Sequence, residues 1–253
     1  MKIGWFSICM VAICAVSLAQ GREPDALQTS TQILMATTPD WNGVDGTLQV
    51  YERPDARKKW KAVGAPIPIV VGKNGLGWGA GVVPDSGRRA ASDPVKQEGD
   101  GRSPAGIFRL STAFGYAAQE PPGRKMQYVS LTPSVECVDD ARSKFYNRVV
   151  DRAAVAPDWI SSEQMLRPDG LYRWGLVVDH NADPVTAGAG SCIFLHIWLG
   201  PGQGTTGCTA MAQEQLEGVL ARLDPARRPL LVQLPRPQYK KLRRRWKLPK
   251  QTY

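Results

Sequence analysis

Gly190–Met211 reads G-S-C-I-F-L-H-I-W-L-G-P-G-Q-G-T-T-G-C-T-A-M. The apolar run Cys192–His196 has the content of a buried strand that ends on a histidine. A loop rich in glycine follows, and Cys208 comes twelve residues after His196. These residue types suit nucleophilic catalysis. A thiolate is the attacking species, and a nearby imidazole lowers the thiol pKa and carries its proton. Gly207, just before Cys208, lets a substrate approach the backbone, and N–H groups in such a turn can hold an oxyanion. Spacing alone leaves the plainer readings open, since a cysteine after a glycine-rich loop is more often structural and a histidine ending a buried strand more often belongs to the core. A zinc set of His180, Cys192, His196 and Cys208 is disfavoured. No C-x₂-C pair is present, and Cys192 and His196 on one strand sit too far apart to share a metal. His180, after Asp179 at a strand end, reads as a loop residue.

Outward from this stretch, the chain reads as many short strands. Ile33–Ala36, Gly46–Tyr51, Trp60–Val63, Pro66–Val71, Ile107–Leu110, Leu171–Asp179 and Leu230–Leu234 carry strand composition. Turn signals stand at Asn42-Gly43, Asp45-Gly46 and Arg53-Pro54. Gly72–Gly81 is expected to be a mobile loop or a chain of tight turns. It lacks the G-x-G-x-x-G and P-loop patterns of a phosphate cradle. Ala212–Leu223 is the clearest helix, with Ala212, Leu216, Val219, Leu220 and Leu223 on one face. Asp139–Val150 is expected to hold a short helix and Ser161–Leu166 one more helical turn. With no internal repeat and no linker, this pattern predicts a single mainly β domain with peripheral helices over residues 31–235.

The ends differ from the body. Met1-Lys2, an apolar run from Ile3 to Ala19 and the small residues Ser17 and Ala19 read as a secretory signal peptide over residues 1–19, cleaved after Ala19. Residues 20–30 read as a flexible leader. The formal net charge is +9, and nearly all of it lies in residues 236–253, which hold eight basic residues and no acidic one. Residues 20–235 are electrically balanced. That balance argues against a nucleic-acid-binding fold with a basic face. The basic C-terminal tail is expected to meet anionic wall polymer or lipid headgroups. Of five cysteines, Cys9 and Cys14 leave with the signal peptide. Cys137, Cys192 and Cys208 remain, an odd number in a disulfide-permissive compartment, which points to a free thiol. Cys137 and Cys192 can bridge if Cys208 is the free one; buried free cysteines are the alternative.

The stretch F-L-H…T-T-G-C resembles the L,D-transpeptidase catalytic domain (YkuD-like), whose signature is a strand ending in histidine, a loop, and then [S/T]-H-G-C. Gly99-Asp-Gly-Arg-Ser-Pro-Ala-Gly106 is similar to the D-G-x-[S/T]-P-x-G strand entry of the same family. The resemblance spans roughly residues 31–235. It implies a mixed β-sandwich-like domain and a cysteine acyl-transferase acting on peptidoglycan stem peptides through a thioester. Carried over by position, Cys208 is the nucleophile and His196 the base. Gly207 and Cys208 supply oxyanion N–H groups, and the backbone carbonyl of Ile197 orients the histidine. Thr206 stands where the family has a second histidine, and Ala210 where it has Arg or Asn. The loop from His196 to Cys208 is also shorter than in many members. Thr206 is placed in the substrate site, and Trp198 is expected to wall off the space beside the thioester.

The resulting expectation is a periplasmic or secreted, cell-wall-associated L,D-transpeptidase-like enzyme that needs no cofactor. Three alternatives stand beside it. An L,D-carboxypeptidase would use the same cysteine and histidine with water as acceptor. A wall-binding module would carry a dead site. An unrelated secreted cysteine protease is disfavoured by the Ser-Pro-Ala-Gly106 motif.

Overall fold

Gln32–Thr38 (β1) is buried at every position, as expected for a strand covered on both faces. The computed structural model describes residues 25–83, 89–118 and 124–251; the signal peptide expected over residues 1–19 lies outside them. β1 pairs antiparallel with Asp45–Glu52 (β2), which pairs antiparallel with Lys61–Val70 (β3). The next strands are Leu76–Trp78 (β4), Ser103–Gly115 (β5), Gln127–Ser130 (β6), Val135–Val138 (β7), Val149–Asp151 (β8) and Ser162–Gln164 (β9). Trp174–Val178 (β10), Phe194–Ile197 (β11), Thr209–Met211 (β12) and Leu230–Pro235 (β13) complete the set. The main sheet runs β10-β11-β12-β3-β2-β1-β13-β5-β4, and β10 also pairs with β5, which closes it on itself. A barrel of this kind leaves few strand edges exposed. A second sheet, β8-β7-β9, stands beside it.

The molecule is therefore mainly β with peripheral helices. Asp25–Thr29 (α1), Gln213–Arg222 (α2) and Arg236–Leu242 (α3) are its α-helices among the described residues. α2 buries Leu216, Val219 and Leu220, the face its sequence periodicity predicts, and packs against β10 and β11. The main core is built on β1, β5 and β13, with Ile33, Phe108 and Val232 among its members. A smaller core gathers Phe114, Tyr172, Phe194, Met165 and Cys208. The disulfide Cys137–Cys192, with Cα atoms 5.9 Å apart, joins β7 to the approach of β11.

Several expectations change. Trp60–Val63 and Pro66–Val71 merge into β3, whose register against β2 shifts between Leu48 and Val50. Gly64, at φ +71, sits in the extra chain that this bulge accommodates. Asp139–Val150 forms turns and then β8 rather than a helix. The Asp140 carboxylate accepts the Arg142 and Ile160 N–H groups, and the Ser143 hydroxyl accepts that of Phe145. Such bonds compete with helix. Ser161–Leu166 contains β9, because pairing with β7 outweighs local preference.

Gly72–Gly81 is a packed set of turns around β4. A Cβ on Gly72 would lie 2.3 Å from the carbonyl oxygen of Gly101, so glycine is what admits the two loops to contact. The leader does not extend to residue 30: α1 buries Leu27, and Ser30 is wholly buried. Nor are residues 236–251 a solvated tail. Tyr239, Leu242, Trp246 and Leu248 are buried in the main core. Their spacing gives the segment one apolar face, while Arg244, Arg245, Lys247 and Lys250 stay exposed.

Candidate functional site

β11 and β12 run parallel, with Leu195 opposite Thr209 and His196 opposite Ala210. Cys208 immediately precedes β12, and its sulfur accepts the Phe194 N–H at 3.3 Å. Alternate residues of a strand share a face, so Phe194 and His196 turn the same way, and Tyr172 packs against both. Its ring centroid lies 5.6 Å from that of Phe194 and 5.1 Å from that of His196. The Tyr172 hydroxyl donates to Glu163 Oε1 at 2.5 Å. Tyr172 and Cys208 both belong to the smaller core, and the Tyr172 phenol packs edge-on against the His196 imidazole. The thiol and imidazole are not bonded to each other, and the Cys208 thiol donates to the Cys192 carbonyl at 3.5 Å.

The two motifs that carry the family resemblance converge here. The Ser103 hydroxyl donates to the Cys208 carbonyl at 2.7 Å and accepts the Gly72 N–H at 2.8 Å. The Thr205 hydroxyl donates to the same carbonyl at 2.6 Å. Cys208 is thus fixed at its carbonyl from two sides. Asp100 of the glycine-rich strand entry holds Lys96, whose Nζ lies 2.6 Å from Asp100 Oδ1 with its side chain only 3% exposed. Lys96, Glu98, Asp139, Glu163, Thr206, Gly207 and Cys208 line a cavity of about 210 Å³.

Burial dominates the electrostatics. It pushes the Cys208 thiol up to about 12, with the Glu163 carboxylate adding to the rise and Lys96 opposing it. Burial takes His196 down to about 4. The resting pair is therefore a neutral thiol and a neutral imidazole, not the accessible, imidazole-activated thiol expected from the sequence. Burial also raises Glu163 and Tyr172. His196 Nδ1 lies 2.7 Å from the Ile197 carbonyl oxygen, the contact that the resemblance implies. As the neutral tautomer it donates there and leaves Nε2 as an acceptor.

Other expected residues are placed less simply. The Gly207 N–H donates to the Thr205 hydroxyl at 3.1 Å, so as an oxyanion donor it would first have to break that bond. Thr206 is exposed at the cavity wall. Trp198 is not among the residues lining the cavity; its backbone N–H continues the strand pairing to Met211. His180 lies in a loop after β10, as expected, and is buried there, with Nε2 2.9 Å from the Ala189 carbonyl oxygen. With Cys192 in the disulfide, the four potential zinc ligands do not assemble. Sequence reasoning missed Tyr172, Glu163 and Lys96. Ser103 was legible as part of the quoted motif, whereas Tyr172 showed only as one aromatic residue in an expected strand.

No family model matches the chain, and no curated protein matches it. A solved structure titled "Structure of Bdellovibrio bacteriovorus Bd1075" aligns with 84% of this chain and 50% of that one, at 11% identity and a TM-score of 0.37. This chain spans about half the length of that protein, and a likeness so weak carries no argument about fold or function.

Proposed function

We propose that the chain is a cysteine acyl-transfer enzyme of the L,D-transpeptidase type that acts on peptidoglycan stem peptides. The observation that carries this reading is the setting of Cys208. It is the free cysteine among the described residues, it lines a polar cavity, and its backbone is bonded to Ser103 of the second motif. In the proposed reaction, Cys208 Sγ attacks the carbonyl carbon of the third stem residue. The C–N bond to the terminal D-amino acid breaks, and its nitrogen leaves as an amine after taking up a proton. An amine of a neighbouring stem then attacks the thioester, forms the new amide and returns the thiol.

The thiol proton must leave as the S–C bond forms, because a thiol with a pKa near 12 is not ionised at rest. Nε2 of His196 is one acceptor. Glu163, which lines the cavity with Cys208 and accepts the Tyr172 hydroxyl, offers a second route. Lys96 favours the thiolate by its charge. The Cys137–Cys192 disulfide supports a periplasmic or secreted site of action.

One observation favours water as the acceptor, the L,D-carboxypeptidase reading. Glu98, Asp139 and Glu163 make the cavity wall hydrophilic. Incubation of the protein with a disaccharide-tetrapeptide, read by mass spectrometry, separates the outcomes. Cross-linked dimer with a transient adduct on Cys208 is expected. Tripeptide alone, at high acceptor concentration, would replace transfer with hydrolysis. Neither product nor adduct would reject both.

A further inference from the structure

A concavity larger than the thiol cavity lies elsewhere on the molecule. A groove of about 990 Å³ is bordered by the chain joining β2 to β3 and by residues 247–250. Six cationic side chains line it: Arg53, Arg57, Lys58, Lys59, Lys247 and Lys250. No acidic residue is among the described residues that line it. Asp55, the nearest carboxylate in sequence, is used within the loop, where it accepts the Arg57 N–H at 2.8 Å. Lys58, Lys59 and Lys250 meet no carboxylate at ion-pair distance among the described residues.

The cations are held in place rather than carried on loose chain. Arg53 is buried, donates to the Ser30 carbonyl at 2.7 Å, and lies over the Trp60 ring at 4.1 Å. Trp246 and Leu248, both buried, fix the segment that bears Lys247 and Lys250. Arg57 lies 3.9 Å from the Asp55 carboxylate, and the charge of Lys58, Lys59 and Lys250 lining a concave channel is the arrangement that concentrates a chain of negative charges.

We infer that this groove binds a linear phosphate-bearing polymer. Two other polyanionic partners fit less well. Docking on a lipid surface draws on exposed apolar side chains as well as charge, and the exposed large apolar residues Val95, Ile160, Val185 and Leu199 all lie outside the groove. Single-stranded nucleic acid needs free aromatic faces for stacking. Tyr51 is buried and Trp60 is half-buried with Arg53 over it. What remains is recognition of repeated charge along a flexible chain. The site is independent of the acyl-transfer reading, because the groove shares no lining residue with the thiol cavity.

The test uses the protein lacking its signal peptide and long-chain inorganic polyphosphate as probe. Polyphosphate is expected to bind, and its affinity to fall steeply between about 50 and about 200 mM salt. K58E/K59E should lower the affinity about tenfold or more and flatten the salt slope. R244E/R245E makes the same change of charge on exposed residues outside the groove. Its effect on affinity should be clearly smaller than that of K58E/K59E, since screening weakens charges that lie outside the groove. Thermal melts of both variants check that the fold is intact, and Cys208→Ala should bind like the parent. Equal losses in the two double variants would replace the groove with diffuse attraction. Binding only to phosphatidylglycerol vesicles, tighter binding to a single-stranded oligonucleotide than to polyphosphate, or no binding to polyphosphate would each overturn the proposal.

Discussion

Cys208 and His196 are held in the protonation states opposite to those of an ion pair, and burial is the cause in both cases. With a thiol pKa near 12, ionisation at neutral pH is about one part in 10⁵. Alkylation of the native protein by iodoacetamide, followed by mass spectrometry, is therefore expected to quicken about tenfold per pH unit between about pH 7 and about pH 10. It should be slower than alkylation of the unfolded chain throughout. A plateau near neutrality would mean that the folded protein stabilises the thiolate at rest. The identity of the thiol and its histidine was legible because glycine spacing and strand composition are local properties. The packing of Tyr172 against Phe194 and His196 was not, because it depends on how β10 and β11 pair, and pairing leaves no mark on either segment alone.

At the scale of elements, the Cys137–Cys192 bridge closes a loop of 55 residues. Paired Cys137→Ser and Cys192→Ser substitutions should lower unfolding stability by about 2–4 kcal/mol, read as a shift in the urea midpoint at unchanged slope. A shift smaller than the error of the measurement would mean that the reduced chain is already constrained. The apolar strands were readable from sequence, although β5 was read only over Ile107–Leu110 of Ser103–Gly115. β1, β10 and β13 are apolar at most positions, and α2 repeats with helical period. The small sheet was not. Asp139–Val150 and Ser161–Leu166 read as helical because their residues tolerate helix, whereas side-chain bonds from Asp140 and Ser143 and pairing with β7 decide otherwise. Short edge strands carry too few residues to display an alternation.

At the scale of the whole molecule, charge hid structure. The run of cations after Arg236 reads as a tail, yet Trp246 is wholly buried among core residues. Trp246→Ala should cost about 3–5 kcal/mol in thermal or urea unfolding, and truncation after Pro235 should leave a chain without a cooperative transition. A truncated protein that melts like the parent would return residues 236–251 to solvent. The same scale governs how the barrel comes to exist. β13 lies between β1 and β5 and pairs with β1 from Ile33↔Leu230 to Thr38↔Pro235, so the centre of the sheet joins segments made almost two hundred residues apart, as in the bond from Thr31 to Arg227. A ribosome must finish β13 before β1 gains its second neighbour. Until then the growing chain carries two open, apolar strand edges, the kind that recruit other chains, and contacts of such long range form slowly. A prematurely terminated product is therefore an aggregation hazard rather than a partly working protein, and chaperone demand during synthesis should peak just before residue 235 emerges.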